Sequence, residues 1–209
     1  SAPVVSIQMW VKVGSADEPQ KLAGISHVFE HMLFKGTAKR GVGQIATMIE
    51  SVGGDINAYT SFDNTVYHLT VPSRHFSTGL DVISDAIQHS SFDPAELKKE
   101  LEVVLEEIRM NEDTPGRRLF NSRLGSACST HPYGRPVIGF VDTVKSFTRQ
   151  DILSFFKKWY APNNMVLVIV GDIEHEAALK AVKDSFKNFE AKPEPHRKRP
   201  IEPIQKSLR

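Results

Sequence analysis

From Val4 to Val13 apolar and polar residues alternate in a valine-rich run that includes Trp10, which predicts a half-buried strand. Helical periodicity follows near Glu18–Leu33, then a polar connection over Thr37–Gly43 and a short helix around Gln44–Val52. Gly53-Gly54 breaks that helix, and Asp55–Ser61 and Thr65–Val71 read as a hairpin turning at Ser61–Asn64. Two helices are predicted next, Ser77–His89 and Pro94–Asn111, the second started by Asp93-Pro94. Pro115–Ser126 reads as helical, His131–Pro136 as a loop, Thr148–Trp159 as a helix, Met165–Val170 as a strand and His175–Phe189 as a last helix. Strands grouped apart from helices give an α+β fold, a mainly antiparallel or mixed sheet with helices packed on one side. Residues 1–190 form the domain. Ala191–Arg209 carries four prolines and many charges without periodicity and is expected to be a linker or tail.

Two helical wheels concentrate the polar chemistry. Over Lys21–Phe34, Leu22, Ile25, Phe29, Met32 and Leu33 form one apolar stripe, while His27 and His31 fall nearly opposite, beside Gly24 and Phe34. Histidines on a helix covered on both sides need partners, and a metal supplies one. Along Pro94–Asn111 the stripe is Leu97, Leu101, Val104, Leu105 and Ile108. Glu100 and Glu107 border it two turns apart, whereas Glu102, Glu106 and Lys99 lie on the solvated face.

Ser-His-Val-Phe-Glu-His-Met (Ser26–Met32) sets His27, Glu30 and His31 in an H-x-x-E-H array, the H-E-x-x-H metalloprotease arrangement reversed. His27 and His31 project from one side of a helix and can share one zinc ion. Glu30 can reach a metal-bound water without being a ligand, which makes it the candidate general base. Catalytic zinc takes three protein ligands and keeps a fourth position for water. Glu107 is the candidate third ligand, with Glu100 as an auxiliary carboxylate that orients a histidine or tunes the water.

Gly24–Thr37, with this array at its centre, closely resembles the active-site segment of the pitrilysin/insulinase family of zinc peptidases, in the mitochondrial-processing-peptidase-like branch found in bacteria. Gly53–Ser61 looks like that family's substrate-binding edge strand, and Glu102–Pro115 is similar to its third-ligand helix, with the family glutamate at Glu107. The resemblance covers essentially the whole chain. It implies a zinc endopeptidase with one Zn2+ per chain, held by His27, His31 and Glu107, acting through Glu30 on extended peptides or unfolded segments. Asn57, Ala58, Tyr59 and Thr60 would receive the peptide substrate as an added strand. It also implies a clamshell closed by a second homologous domain or subunit, and it accommodates a dimer. By that resemblance the present chain would be the metal-bearing first half, without its opening strand and second half, and Ser1-Ala2-Pro3, leading directly into a strand without methionine, reads as a truncated or processed start.

Composition narrows this little further. The 209 residues are 40% hydrophobic and 24% charged with a net charge of +1, which gives no basic excess for nucleic acid or an acidic membrane. No apolar run reaches membrane-spanning length. The single cysteine, Cys128, excludes an internal disulfide and is compatible with either the cytoplasm or the periplasm of a bacterium. S-ribosylhomocysteine lyase shares H-x-x-E-H but takes a cysteine as third ligand, and Cys128 lies too far along the chain from His31 for that spacing. His68 and His131 read as structural. A non-catalytic scaffold subunit is the other alternative, and relatives in that role usually have a degraded metal motif, whereas this one is intact.

Overall fold

The structure, a computed structural model, describes residues 2–197 and 199–206. Strands β1 (Val4–Val11), β2 (Asp55–Thr60), β3 (Thr65–Pro72) and β4 (Met165–Gly171) form one antiparallel sheet in the order β2-β3-β1-β4. The register sets Ile56, Leu69, Ile7 and Ile169 in one cross-strand row, and Ala58, Tyr67, Met9 and Leu167 in the next. Both rows face the helices, as the two-residue period requires. The opposite face carries Asn57, Tyr59, His68, Gln8 and Trp10, where Tyr59 meets the Trp10 ring edge-on at 6.3 Å. The expected α+β architecture, with helices on one side of the sheet, is the one observed.

Against the inner face lie α1 (Ile25–Leu33), α2 (Gln44–Ser51) and α3 (Phe76–His89), and α4 (Pro94–Asp113) packs on α1. They are followed by α5 (Pro115–Ala127), α6 (Val141–Ser146), α7 (Arg149–Trp159) and α8 (His175–Ser185). Phe29 of α1 sits at the centre of the aromatic core, its ring 4.8 Å from Phe92, 5.5 Å from Phe155 and 4.3 Å from Tyr160. Truncation of such a fully buried ring costs about 3–5 kcal/mol. That packing pins the helix carrying the histidines to α7 and to the segment that leads into α4.

Two boundaries differ from the sequence pattern. The motif helix begins at Ile25 rather than near Glu18, because Ser15–Asp17 and Gln20–Leu22 are separate 3-10 turns and Gly24 stands at φ +98°. The short helix α6 was not anticipated, since six residues are too few for helical periodicity to emerge. The described part of the C-terminal segment has no helix or strand, yet it is tied down along its length. Arg199 binds Asp17 and Asp63, and Glu202 accepts the amides of Ser129, Thr130 and His131. Among the described residues no helix is long and apolar enough to cross a membrane.

Candidate metal and active site

The site is assembled from the start of α1, the middle of α4 and the free edge of β2. The start of α1 depends on Glu18. Its buried carboxylate accepts the amides of Gly24 (2.8 Å) and Ser26 (2.7 Å), placing an acceptor at the positive end of the helix. Burial pushes this carboxyl up to about 7, against the downward pull of the two amides and of Arg135. Gly24 has no substitute here. Besides its left-handed backbone, a Cβ at this position would lie 2.5 Å from the Ile138 carbonyl oxygen.

One turn into the helix, His27 and His31 bring their rings to 4.8 Å between centroids. Helix α4 starts on the Asp93 side chain, which caps Ala95 and Glu96, with Pro94 in the first turn. It carries Glu107 to the histidine pair, with Oε2 3.6 Å from His27 Nε2 and 3.7 Å from His31 Nε2. One ligand atom from each of the three residues lies within 4.8 Å of the others. Glu106, one residue earlier, points outward and pairs with Arg109.

These residues fit a zinc ion. Ligand atoms at about 2.1 Å in a tetrahedron stand about 3.4 Å apart, close to the two histidine–glutamate separations. Glu100, nearly fully buried, places Oε2 3.2 Å from His31 Nδ1 and Oε1 2.6 Å from Lys35 Nζ. A proton on His31 Nδ1 satisfies the Glu100 contact and leaves Nε2 bare toward Glu107. Burial, and then the neighbouring His31, push His27 down to about 3. Its approach to Glu107 at neutral pH is therefore that of a neutral imidazole and not an ion pair. His27 Nδ1 is buried without a hydrogen-bond partner, so packing sets the orientation of that ring.

Glu30, between the histidines, points to the sheet and accepts a hydrogen bond from Thr60 Oγ1 at 2.6 Å. Burial raises its pKa, while the Thr60 bond and His31 pull it back. The four residues expected to receive a peptide separate by the pleat of β2. Ala58 and Thr60 lie on the α1 side, and Asn57 and Tyr59 on the outer face. The Ala58 amide donates to Asn57 Oδ1 at 2.8 Å, so it points away from β3 toward the free edge. A cleft of about 360 Å3 opens beside His27, Thr60 and Glu107, with Phe62, Phe120 and Ile138 among its apolar walls. His68 is on the outer sheet face against Tyr59, and His131 Nδ1 accepts the Tyr133 amide. Neither belongs to the histidine–glutamate cluster. Sequence reasoning missed Glu18 and the link from Thr60 to Glu30, because both join residues whose proximity depends on the fold and not on motif spacing.

Comparison with known proteins gives this geometry a context. Residues 1–140 match the family described as Insulinase (Peptidase family M16), and residues 146–209 match the Peptidase M16 inactive domain. The chain is 37% identical over 188 residues to the uncharacterized zinc protease YmxG of Bacillus subtilis, covering 90% of this chain and 46% of that protein. It is 36% identical over 185 residues to an uncharacterized zinc protease of Rickettsia felis, covering 88% and 45% respectively. The chain thus spans about half the length of the curated relatives it matches. Among solved structures, a protease from Helicobacter pylori superposes with a TM-score of 0.89 at 29% identity, over 96% of this chain and 50% of that one. The periplasmic protease PqqL of Escherichia coli gives 0.87 at 28% identity, over 97% and 23%.

Proposed function

Because the chain belongs to the insulinase family of peptidases, peptidase family M16, we propose that it is the metal-bearing half of a zinc-dependent endopeptidase acting on extended peptides. The observation that carries this reading is the convergence of His27, His31 and Glu107 beside a carboxylate, Glu30, that the free edge strand holds in place. His27, His31 and Glu107 would hold the ion. When bound, zinc supplies Lewis-acid polarisation of a carbonyl and lowers the pKa of water toward about 7.

The chain's own residues do the rest. The free edge of β2 receives an extended peptide through backbone hydrogen bonds, with the Ala58 amide exchanging Asn57 Oδ1 for a substrate carbonyl. Such pairing is indifferent to side-chain identity and suits unfolded segments. Glu30 takes a proton from the attacking water and returns it to the leaving amine, and the burial that raises its pKa suits it to both transfers. Glu100 keeps His31 in the tautomer that presents Nε2.

Relatives about twice this length support a second homologous half closing over the peptide. We expect one zinc per chain by metal analysis, removable by chelator. The chain alone should cleave peptides poorly and gain turnover when a second half is supplied. Robust turnover by the 209 residues alone would contradict the two-half reading, and a chain that takes up no zinc would favour a non-catalytic scaffold.

A further inference from the structure

We propose that Thr60 is a positioning residue that selects which oxygen of Glu30 faces the reaction, so that the strand receiving the peptide also aims the base. This rests on the reading of Glu30 as the base. The 2.6 Å bond from Thr60 Oγ1 engages Glu30 Oε2, and the Thr60 backbone also bonds this carboxyl. With Oε2 held by the hydroxyl, Oε1 is the oxygen assigned to the water. A free glutamate side chain samples many rotamers, and holding one oxygen on a fixed donor removes most of that freedom.

The donor itself is fixed. Threonine is stiff at χ1, and the pleat of β2 turns Thr60 toward α1. The chain just beyond it is clamped, because the Ser61 amide donates to the Asn64 carbonyl and the Ser61 carbonyl accepts the Ser15 amide. The other end of the bond is equally rigid, since Glu30 follows Phe29 in the aromatic core. Among the described residues the side-chain hydroxyl bonded to Glu30 is that of Thr60, while the nearby Tyr67 and Tyr160 hydroxyls bond each other at 2.7 Å. The donor is neutral, which matters chemically. A cation at this position would hold Glu30 as a carboxylate of low basicity, whereas a hydroxyl orients it and leaves it able to accept a proton. A peptide that shifts β2 therefore also shifts the base, coupling strand addition to proton transfer.

The test uses Thr60→Val, which keeps the branched shape without the hydroxyl, and Thr60→Ser, which restores the hydroxyl. Thr60→Ala serves as a second deletion should valine fold poorly. The first readout is the 13C resonance of the Glu30 carboxyl at fixed pH in the zinc-free chain, assigned by its loss in Glu30→Gln. We expect it to move in Thr60→Val and return in Thr60→Ser. With the second half supplied and zinc at one per chain in every variant, kcat should fall about 10- to 100-fold in Thr60→Val with KM within about twofold, and Thr60→Ser should recover most of it. An unmoved carboxyl resonance in Thr60→Val would overturn the proposal. So would a rise in KM at unchanged kcat, which would make Thr60 a plain strand contact. Failure of the parent protein to cleave any peptide would instead sink the peptidase reading, and the carboxyl resonance would still decide whether Thr60 holds Glu30.

Discussion

Strands β2 and β4 close the same antiparallel sheet on opposite sides, and their outward side chains differ sharply. On β2, Tyr59 meets Trp10 and His68, Asn57 caps the free Ala58 amide, and the inward Thr60 holds Glu30. On β4, Val166, Val168 and Val170 stand 45%, 37% and 65% exposed, and the strand's ladder is to β1 alone. Equivalent edges thus have unequal consequences. Substitution on β2 reaches the candidate site, because that strand packs on α1 and Thr60 bonds Glu30, whereas on β4 it reaches only the sheet. The candidate site lies where a strand side chain meets the motif helix, not wherever an edge is open.

Breaking the comparison at its strongest point means removing the free-edge donor. Ala58→Pro deletes an amide that does not serve the ladder, a position where an edge strand tolerates proline. Peptide cleavage should fall at least about tenfold while zinc content holds and the melting temperature changes little, each read on the same preparation. Unaltered cleavage would remove β2 from substrate capture.

A smaller effect is expected behind the motif helix. Glu18→Gln presents an amide NH2 to one of the two backbone donors at the start of α1, leaving donor against donor at a cost of about 1–3 kcal/mol. The sign of its pH dependence follows from the raised pKa. The folded chain holds this carboxyl near 7 against an ordinary 4.5, so folding favours the protonated form. The stabilisation is full below about 4.5 and is lost as pH rises through 7. Urea midpoints should show the parent's advantage over Glu18→Gln shrinking across that window. An advantage that grows with pH would mean that the carboxylate is the form stabilised.

The smallest effect belongs to the other edge. Val168→Thr should change stability by no more than about 0.5 kcal/mol and leave cleavage at the parent rate. A large loss of activity would show that β4 also communicates with the site.

Much of this architecture is legible in the chain because it repeats. The apolar stripe Ile25, Phe29, Met32 and Leu33 lies in the core, and the stripe of α4 sets Glu107 toward the histidines while Glu106 turns outward. The alternation along β1 reappears as its buried face. What stayed hidden depends on contacts between distant residues. No local pattern announces that Glu18 will cap a helix beginning seven residues later, or that Gly24 must admit the Ile138 carbonyl. The link from Thr60 to Glu30 joins a strand and a helix, each of which reads correctly alone. The C-terminal segment has the composition of a linker, yet Arg199 and Glu202 fasten it to the domain through partners invisible to composition.

The most direct test of the account compares the parent chain with Glu30→Gln, each supplied with a second half and brought to equal zinc content. Cleavage of an extended peptide by the parent and a loss of about 10²- to 10⁴-fold in the variant, with zinc unchanged, is the predicted result. Equal cleavage at equal zinc would show that Glu30 is not the base and would contradict the mechanism.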